Sequence, residues 1–385
     1  MGSRRLLLRV LLLPVLLVVL LESAFFFAGV GQQEYLRFDP VVGFAPIGKK
    51  RVTWRKEGYS DVQLNSLGMN DVERTFEKPE NTYRIAVLGD SYVEALQVAR
   101  DSNFCSLIEA TLNEQFPSRH FEVLNLGVSS YSLGQQMLRL QNPGIKFQPD
   151  LVLLVVRNDA TYLLPPDTAA GFFGARPSFF LDAHRKLIAD YTAQEFIVRS
   201  MEGKRILLTS WLRENSRIWG VLSKCVEHSC GWFRKVTAAD FSGAAISKKR
   251  TAFGESETFP KTYAANQIAG RATLPHSTDN CVRFMWPIAH AIIEEMQSVC
   301  HRNGSEFCVI RLGGVRGYQN EIETDRLSNT ANQLKIPYFD TTPALNKLWR
   351  QGQSSKIWYQ SHFTPLGHKV LAEEITPFVT KLIKK

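Results

Sequence analysis

The chain has 385 residues, 44% hydrophobic and 22% charged, a composition that excludes wholesale disorder and fits one large domain with insertions or two modest ones. Lys and Arg outnumber Asp and Glu by 46 to 37, a formal charge of +9, which favours anionic neighbours such as phospholipid head groups or acidic polysaccharides. No compact basic stripe, zinc-finger spacing or aromatic-rich reader motif accompanies that charge, so nucleic acid is not an expected partner.

In chain order, Arg4, Arg5 and Arg9 come first, around the start of a nearly unbroken apolar run over residues 10–21. The run resumes after Glu22 through Ala24, Phe25, Phe26, Phe27, Ala28 and Val30. Counted from Leu6, it is long enough for a helix to cross the ~30 Å hydrocarbon core. Residues 1–30 therefore read as a retained signal anchor, a transmembrane helix with its basic end in the cytoplasm and everything after it outside, periplasmic in a bacterium. A cleaved signal peptide is the alternative. Glu22 sits near the outer end, where a carboxylate can reach towards water. Residues 31–83, including Leu64-Asn65-Ser66-Leu67-Gly68-Met69, read as an extension with a strand or two at most.

The domain proper spans 84–385. Residues 84–88 (RIAVL), 121–126 (FEVLNL) and 150–156 (DLVLLVV) are short apolar runs closed by Gly or polar residues, and read as buried strands. Residues 307–312 and 336–339 read as two more. Helical spacing places Phe104, Leu107, Ile108 and Leu112 on one face, and residues 288–300 and 367–382 are further helices. Nearly all-apolar strands alternating with helices predict a parallel sheet covered on both faces. Residues 164–280 break this rhythm and read as an insertion with a few helices, one near 205–222. Cys105, Cys225, Cys230, Cys281, Cys300 and Cys308 form an even set, compatible with disulfides in an exported protein. Cys225, His228 and Cys230 lack a second pair of ligands nearby, so a metal site is not expected there.

Three polar segments end the first three strands: Gly89-Asp90-Ser91, Asn125-Leu126-Gly127 and Arg157-Asn158-Asp159. In an open α/β sheet these loops meet at one rim, where ligands bind. Ser91 stands where a strand turns into a helix, the place for an exposed hydroxyl nucleophile. The Ser91 and Gly127 N–H groups and the Asn158 amide are candidate oxyanion donors. Asp90 and Asp159 read as loop-bracing acceptors. His362, in a loop before the last helix, is the candidate base; His368 is expected to cap or pack.

GDS at 89–91, N-x-G at 125–127, ND at 158–159 and H-x-x-P-x-G-H at 362–368 resemble the four signature blocks of SGNH (GDSL-like) hydrolases, in their usual order. The extension with its Asn-Ser-x-Gly segment is similar to that of membrane-anchored bacterial members. The resemblance implies a flavodoxin-like three-layer α/β sandwich, hydrolysis of carboxylic esters, no metal or organic cofactor, and Ser91, Gly127, Asn158 and His362 in the catalytic and oxyanion positions. Substrates of such enzymes include acetylated sugars, lipids and thioesters.

The pattern departs from the family at the histidine. The aspartate usual two or three residues before it is replaced by Gln360 and Tyr359. Gln360 could orient the ring, or Asp340 at the end of the last strand could supply the charge. Asp340 reads equally well as the cap of a helix beginning at 341 or 342. Ala95 and Ser130 stand where the family pattern has glycine. The reading is an extracytoplasmic, membrane-tethered serine esterase, its substrate an acyl ester, an O-acylated polysaccharide among the candidates. A glycan- or partner-binding scaffold without chemistry, and a lipid-active hydrolase, are the alternatives.

Overall fold

A computed structural model describes residues 2–31, 34–156, 174–223, 225, 278–313 and 321–384, of which 2–11, 278–285 and 321–325 by backbone alone. Contacts group the chain into two compact units, Met1–Glu34 with Arg205–Thr278 and Tyr35–Lys204 with Asp279–Lys385.

The N-terminal run forms helix α1 (Gly2–Phe27), whose Leu and Val side chains over 12–21 are exposed, as are Phe26 and Phe27. Among the described residues no helix is long and apolar enough to cross a membrane; the side chains of residues 6–11, which begin the apolar run, lie outside that set.

The extension is more ordered than a strand or two. It folds as two antiparallel hairpins, β1 (Leu36–Asp39) with β2 (Gly43–Pro46) and β3 (Arg51–Trp54) with β4 (Ser60–Gln63). These strands are four residues each, too short and too polar for their alternation to stand out. The second hairpin seats Val52, Val62 and Leu64 on Leu96 in a small core of its own. Further along, Asn65 closes a tight turn, its side-chain oxygen accepting from the N–H groups of Leu67 (3.0 Å) and Met69 (2.9 Å). Ion pairs then join the extension to the domain, with the Arg74 and Arg84 side chains buried and Lys78–Asp150 half-buried. Arg74 reaches Asp71 (3.0 Å) and Glu109 (2.6 Å), and Lys78 reaches Asp150 (2.8 Å). Fully buried Arg84 pairs with Glu122 (2.5 Å) and donates to the carbonyls of Phe76 and Glu77. Losing the partner of a buried guanidinium such as Arg84 strands its charge, a cost of about 3–5 kcal/mol.

The five-stranded sheet is parallel throughout: β5 (Thr82–Leu88), β6 (His120–Asn125), β7 (Leu151–Val156), β10 (Glu306–Arg311) and β11 (Tyr338–Asp340), while β8 (Ser178–Leu181) and β9 (Leu187–Asp190) form a separate pair. The spatial order β11-β10-β7-β5-β6 is the doubly wound order 2-1-3-4-5, counted along these five strands, with its switch point between β5 and β7. Every residue of β5 and β7 is buried, as expected for central strands covered twice.

Helices α2 (Ser91–Glu94), α3 (Phe104–Gln115) and α4 (Leu133–Gln141) follow in chain order. Asn103 caps α3 and a Ser132–Gln135 capping box starts α4. The insertion contains a hairpin the sequence does not announce, β8 (Ser178–Leu181) with β9 (Leu187–Asp190). After it come α5 (Thr192–Arg199), α6 (Met201–Asn215) and a helical run over 217–223, broken from α6 at Ser216. The helix expected at 288–300 starts earlier and is α7 (Thr278–Arg302). Next are α8 (Glu321–Gln333), α9 (Thr342–Arg350), the short α10 (Ser354–Ile357) and α11 (Pro365–Ile383).

One face of the sheet, through Ile85, Val87, Val123, Leu153 and Ile310, packs against Phe104, Ile108 and Leu112 of α3 and Leu371, Ile375 and Val379 of α11. Ala86, Leu88, Leu124, Val152 and Leu154 on the opposite face are buried as well. Cys105, Cys300 and Cys308 are buried free thiols and Cys225 is an exposed one. Cys230 and His228 lie outside the described residues, as does the side chain of Cys281.

Candidate active site

Strand β5 delivers Ser91 to the switch point. Gly89 makes the turn possible: a Cβ there would lie 2.2 Å from the Val93 side chain. Asp90 caps α2, its carboxylate accepting from the Tyr92 N–H (3.0 Å), the bracing role expected of it. Ser91 is the first residue of that helix, so its own N–H has no partner in the helix ladder. The helix ends after one turn at Ala95 (φ +52°), and Ser130 (φ +64°) follows the second polar segment. Both residues thus adopt the left-handed conformation glycine tolerates best, at a cost of about 1–2 kcal/mol for other residues.

His362 comes from a tight loop between α10 and α11, closed by a bridge between Trp358 and Phe363 and by a hydrogen bond from the Tyr359 N–H to the His362 carbonyl (2.8 Å). Its Nε2 lies 2.8 Å from Ser91 Oγ. The Tyr92 hydroxyl donates to the Ser361 carbonyl (2.5 Å), and its ring lies 5.0 Å from the imidazole. Tyr92, the residue after Ser91, therefore holds the loop that carries His362.

The carboxylate on this histidine is Glu57. Its Oε1 makes a very short hydrogen bond with His362 Nδ1, while Oε2 accepts from the N–H groups of Ser361 (2.8 Å) and His362 (3.2 Å). Burial pushes the Glu57 carboxyl up, but the hydrogen bonds from the ring and from the two backbone donors outweigh it and hold the group below its ordinary value. Glu57 stands at the tip of the β3–β4 hairpin, in the loop over residues 55–59. The next residue, Gly58 (φ +65°), lets the tip lie against the chain: a Cβ there would meet the Gln97 carbonyl and the Tyr359 ring at 2.7 Å.

Neither sequence candidate for this position touches the ring. Gln360 is exposed. Asp340 accepts from the Thr342 N–H (2.8 Å) and pairs with Arg311 (3.1 Å), so it is engaged at the start of α9, one residue before the N-cap, which is Thr341. His368 packs: it is fully buried, stacked on Phe104, and burial drives its imidazole down to about 3, where it stays neutral.

Of the oxyanion candidates, Asn158 lies outside the described residues, as do Arg157 and Asp159. The Gly127 N–H is already engaged, donating to Asn125 Oδ1 (3.0 Å), and the Asn125 amide donates to the Val93 carbonyl (2.7 Å). Gly127 has a different necessity here: a Cβ would lie 2.4 Å from the Glu94 nitrogen, so glycine lets this loop rest on α2. Glu94 fastens the same loop, its Oε2 accepting from the Ser129 N–H (3.0 Å) and hydroxyl. Burial raises that carboxyl to about 7.

No protein-family model and no curated protein sequence matches the chain. Among solved structures it is similar to LAE5, an alpha/beta hydrolase enzyme from the metagenome of Lake Arreo, Spain. The identity is 11% and the TM-score 0.39, over 78% of this chain and 95% of that one. It is similar to the acetylxylan esterase Axe2 from Geobacillus stearothermophilus at 11% identity and a TM-score of 0.39, over 76% of this chain and 92% of that one. A two-domain esterase active on acetylated mannans shares 11% identity at a TM-score of 0.40, over 79% of this chain and 50% of that one. At such values any functional reading rests on the side chains of this chain alone.

Proposed function

We propose that this protein is an SGNH-type serine esterase with Ser91 as nucleophile, His362 as general base and Glu57 as the acid that positions the base. The carrying observation is the unbroken hydrogen-bond chain from Glu57 through both ring nitrogens of His362 to Ser91 Oγ. Oγ attacks the ester carbonyl carbon as its proton passes to Nε2, and the resulting imidazolium is stabilised by Glu57, which keeps its charge. The tetrahedral oxyanion is met by the Ser91 N–H and the Asn158 amide. Gly127 joins them only if its bond to Asn125 opens. His362 then protonates the departing alcohol, and water, activated by the same base, releases the acid and restores Ser91.

The scaffold-without-chemistry alternative turns on a missing acid, and the hydrogen bond between Glu57 and His362 weighs against it. For location, the basic residues followed by the apolar run over 6–30 support a retained signal anchor with the hydrolase domain outside the cytoplasm. That location, with the net charge of +9, favours an O-acylated carbohydrate outside the cell membrane as substrate. The experiment is hydrolysis of p-nitrophenyl esters of increasing chain length, with fluorophosphonate labelling. Activity and labelling should both vanish in Ser91→Ala; activity that survives this substitution refutes the assignment.

A further inference from the structure

We infer that the middle of the insertion, α6 from Arg205 onward together with the 217–223 run, is a platform lying in the headgroup and upper acyl region of a phospholipid bilayer. It is fixed there by Glu22 of α1. The inference rests on the signal-anchor reading of α1.

A carboxylate in an apolar anchor is costly unless its oxygens are satisfied. Glu22 accepts from the backbone N–H groups of Arg217 and Ile218 (3.1 Å for the latter) and from the Ser216 hydroxyl (3.2 Å). These N–H groups belong to the first turn of the 217–223 run, where helix donors lack internal partners and favour a negative charge. Glu22 therefore acts as a bracket, tying the start of that run to one level of α1.

The level follows from helix geometry. At 1.5 Å per residue from Leu6, ~30 Å of hydrocarbon is crossed by about residue 26. Glu22 lies one turn inside that boundary, so the helices bracketed to it meet the bilayer surface. Arg217 behaves as a residue at that boundary: its guanidinium lies over the Phe26 ring at 5.1 Å and donates to the Val30 carbonyl (3.0 Å). Leu208 and Trp211 of α6, both 58% exposed, and Leu222, 52% exposed, turn large apolar side chains away from the chain. Arg205, Arg213 and Arg217 are interspersed among them. Apolar anchors, an indole and a basic rim are what an anionic headgroup layer over acyl chains recognises. The exposed apolar surface of α1 belongs to the same compact unit.

The test uses the full chain in vesicles of phosphatidylcholine and phosphatidylglycerol, with bromine carried either on the upper acyl chain or near its end. Tryptophan emission of the wild type minus that of Trp211→Phe isolates Trp211. Upper-chain bromine is expected to reduce that difference roughly by half, and chain-end bromine to reduce it less. Co-flotation with the vesicles reads the anchor separately and is expected for both proteins. A chain that floats while Trp211 is quenched at neither depth, or most strongly at the chain end, overturns the platform and leaves the anchor standing. A chain that does not float overturns the anchor reading and the platform with it.

Discussion

Replacing Glu57 by glutamine preserves the shape at the hairpin tip and removes the charge that faces the imidazolium. Turnover should fall by about 10³–10⁴-fold with Ser91 still in place, measured as kcat on a p-nitrophenyl ester. Gln360→Asp should leave kcat unchanged, because the ring nitrogen it would serve already has Glu57; a clear gain would show that Glu57 is not the working acid. Glu94 supports a second experiment at this scale. Burial lifts its carboxyl to about 7, against an ordinary 4.5. Below pH 4.5 the carboxyl is protonated in both folded and unfolded chains. As pH rises through 4.5 towards 7 the unfolded chain gives up this proton first, so stability declines over that window. Denaturant titrations at pH 5 and pH 8 should differ by about 2–3 kcal/mol from this group. Glu94→Gln should shrink the difference; an undiminished one would trace the pH dependence to other groups.

The hairpin carrying Glu57 is the decisive element. Gly58→Ala combines a left-handed backbone with a methyl group placed 2.7 Å from the Gln97 carbonyl and the Tyr359 ring. It should displace the tip and lower kcat much as Glu57→Gln does, measured on the same p-nitrophenyl ester. This element was the least legible in the sequence. Strands β5 and β7 announce themselves as continuous apolar runs, and Ser91 and His362 through their spacing to glycine, aspartate and proline. Residues 51–54 and 60–63 offer only four-residue patterns, RVTW and SDVQ. The one local sign of Glu57 is an acid beside a glycine in the basic stretch K-K-R-V-T-W-R-K-E-G. Nothing in that spacing points to a histidine 305 positions away. Asp340 is a candidate because it ends a strand, and that same placement commits it to Thr342 and Arg311.

For the molecule as a whole, the extension supplies the carboxylate that holds His362. A chain beginning at Tyr35 keeps both hairpins and the buried pairs of Arg74 and Arg84, and should retain esterase activity in solution. One beginning at residue 65 lacks Glu57 and Leu64 and should lose at least about 10³-fold in kcat; equal activity of the two would exclude the hairpin from the reaction. The separation of Glu57 and His362 also has a consequence for biosynthesis. Chains emerge N-terminal end first, so Glu57 and Ser91 leave the ribosome well before His362, which follows Glu57 by 305 residues. In that interval the nascent protein holds the hairpin and the serine without the imidazole that bridges them. The hydrogen-bond chain from Glu57 through His362 to Ser91 closes only when the segment around His362 folds back onto a hairpin made earlier.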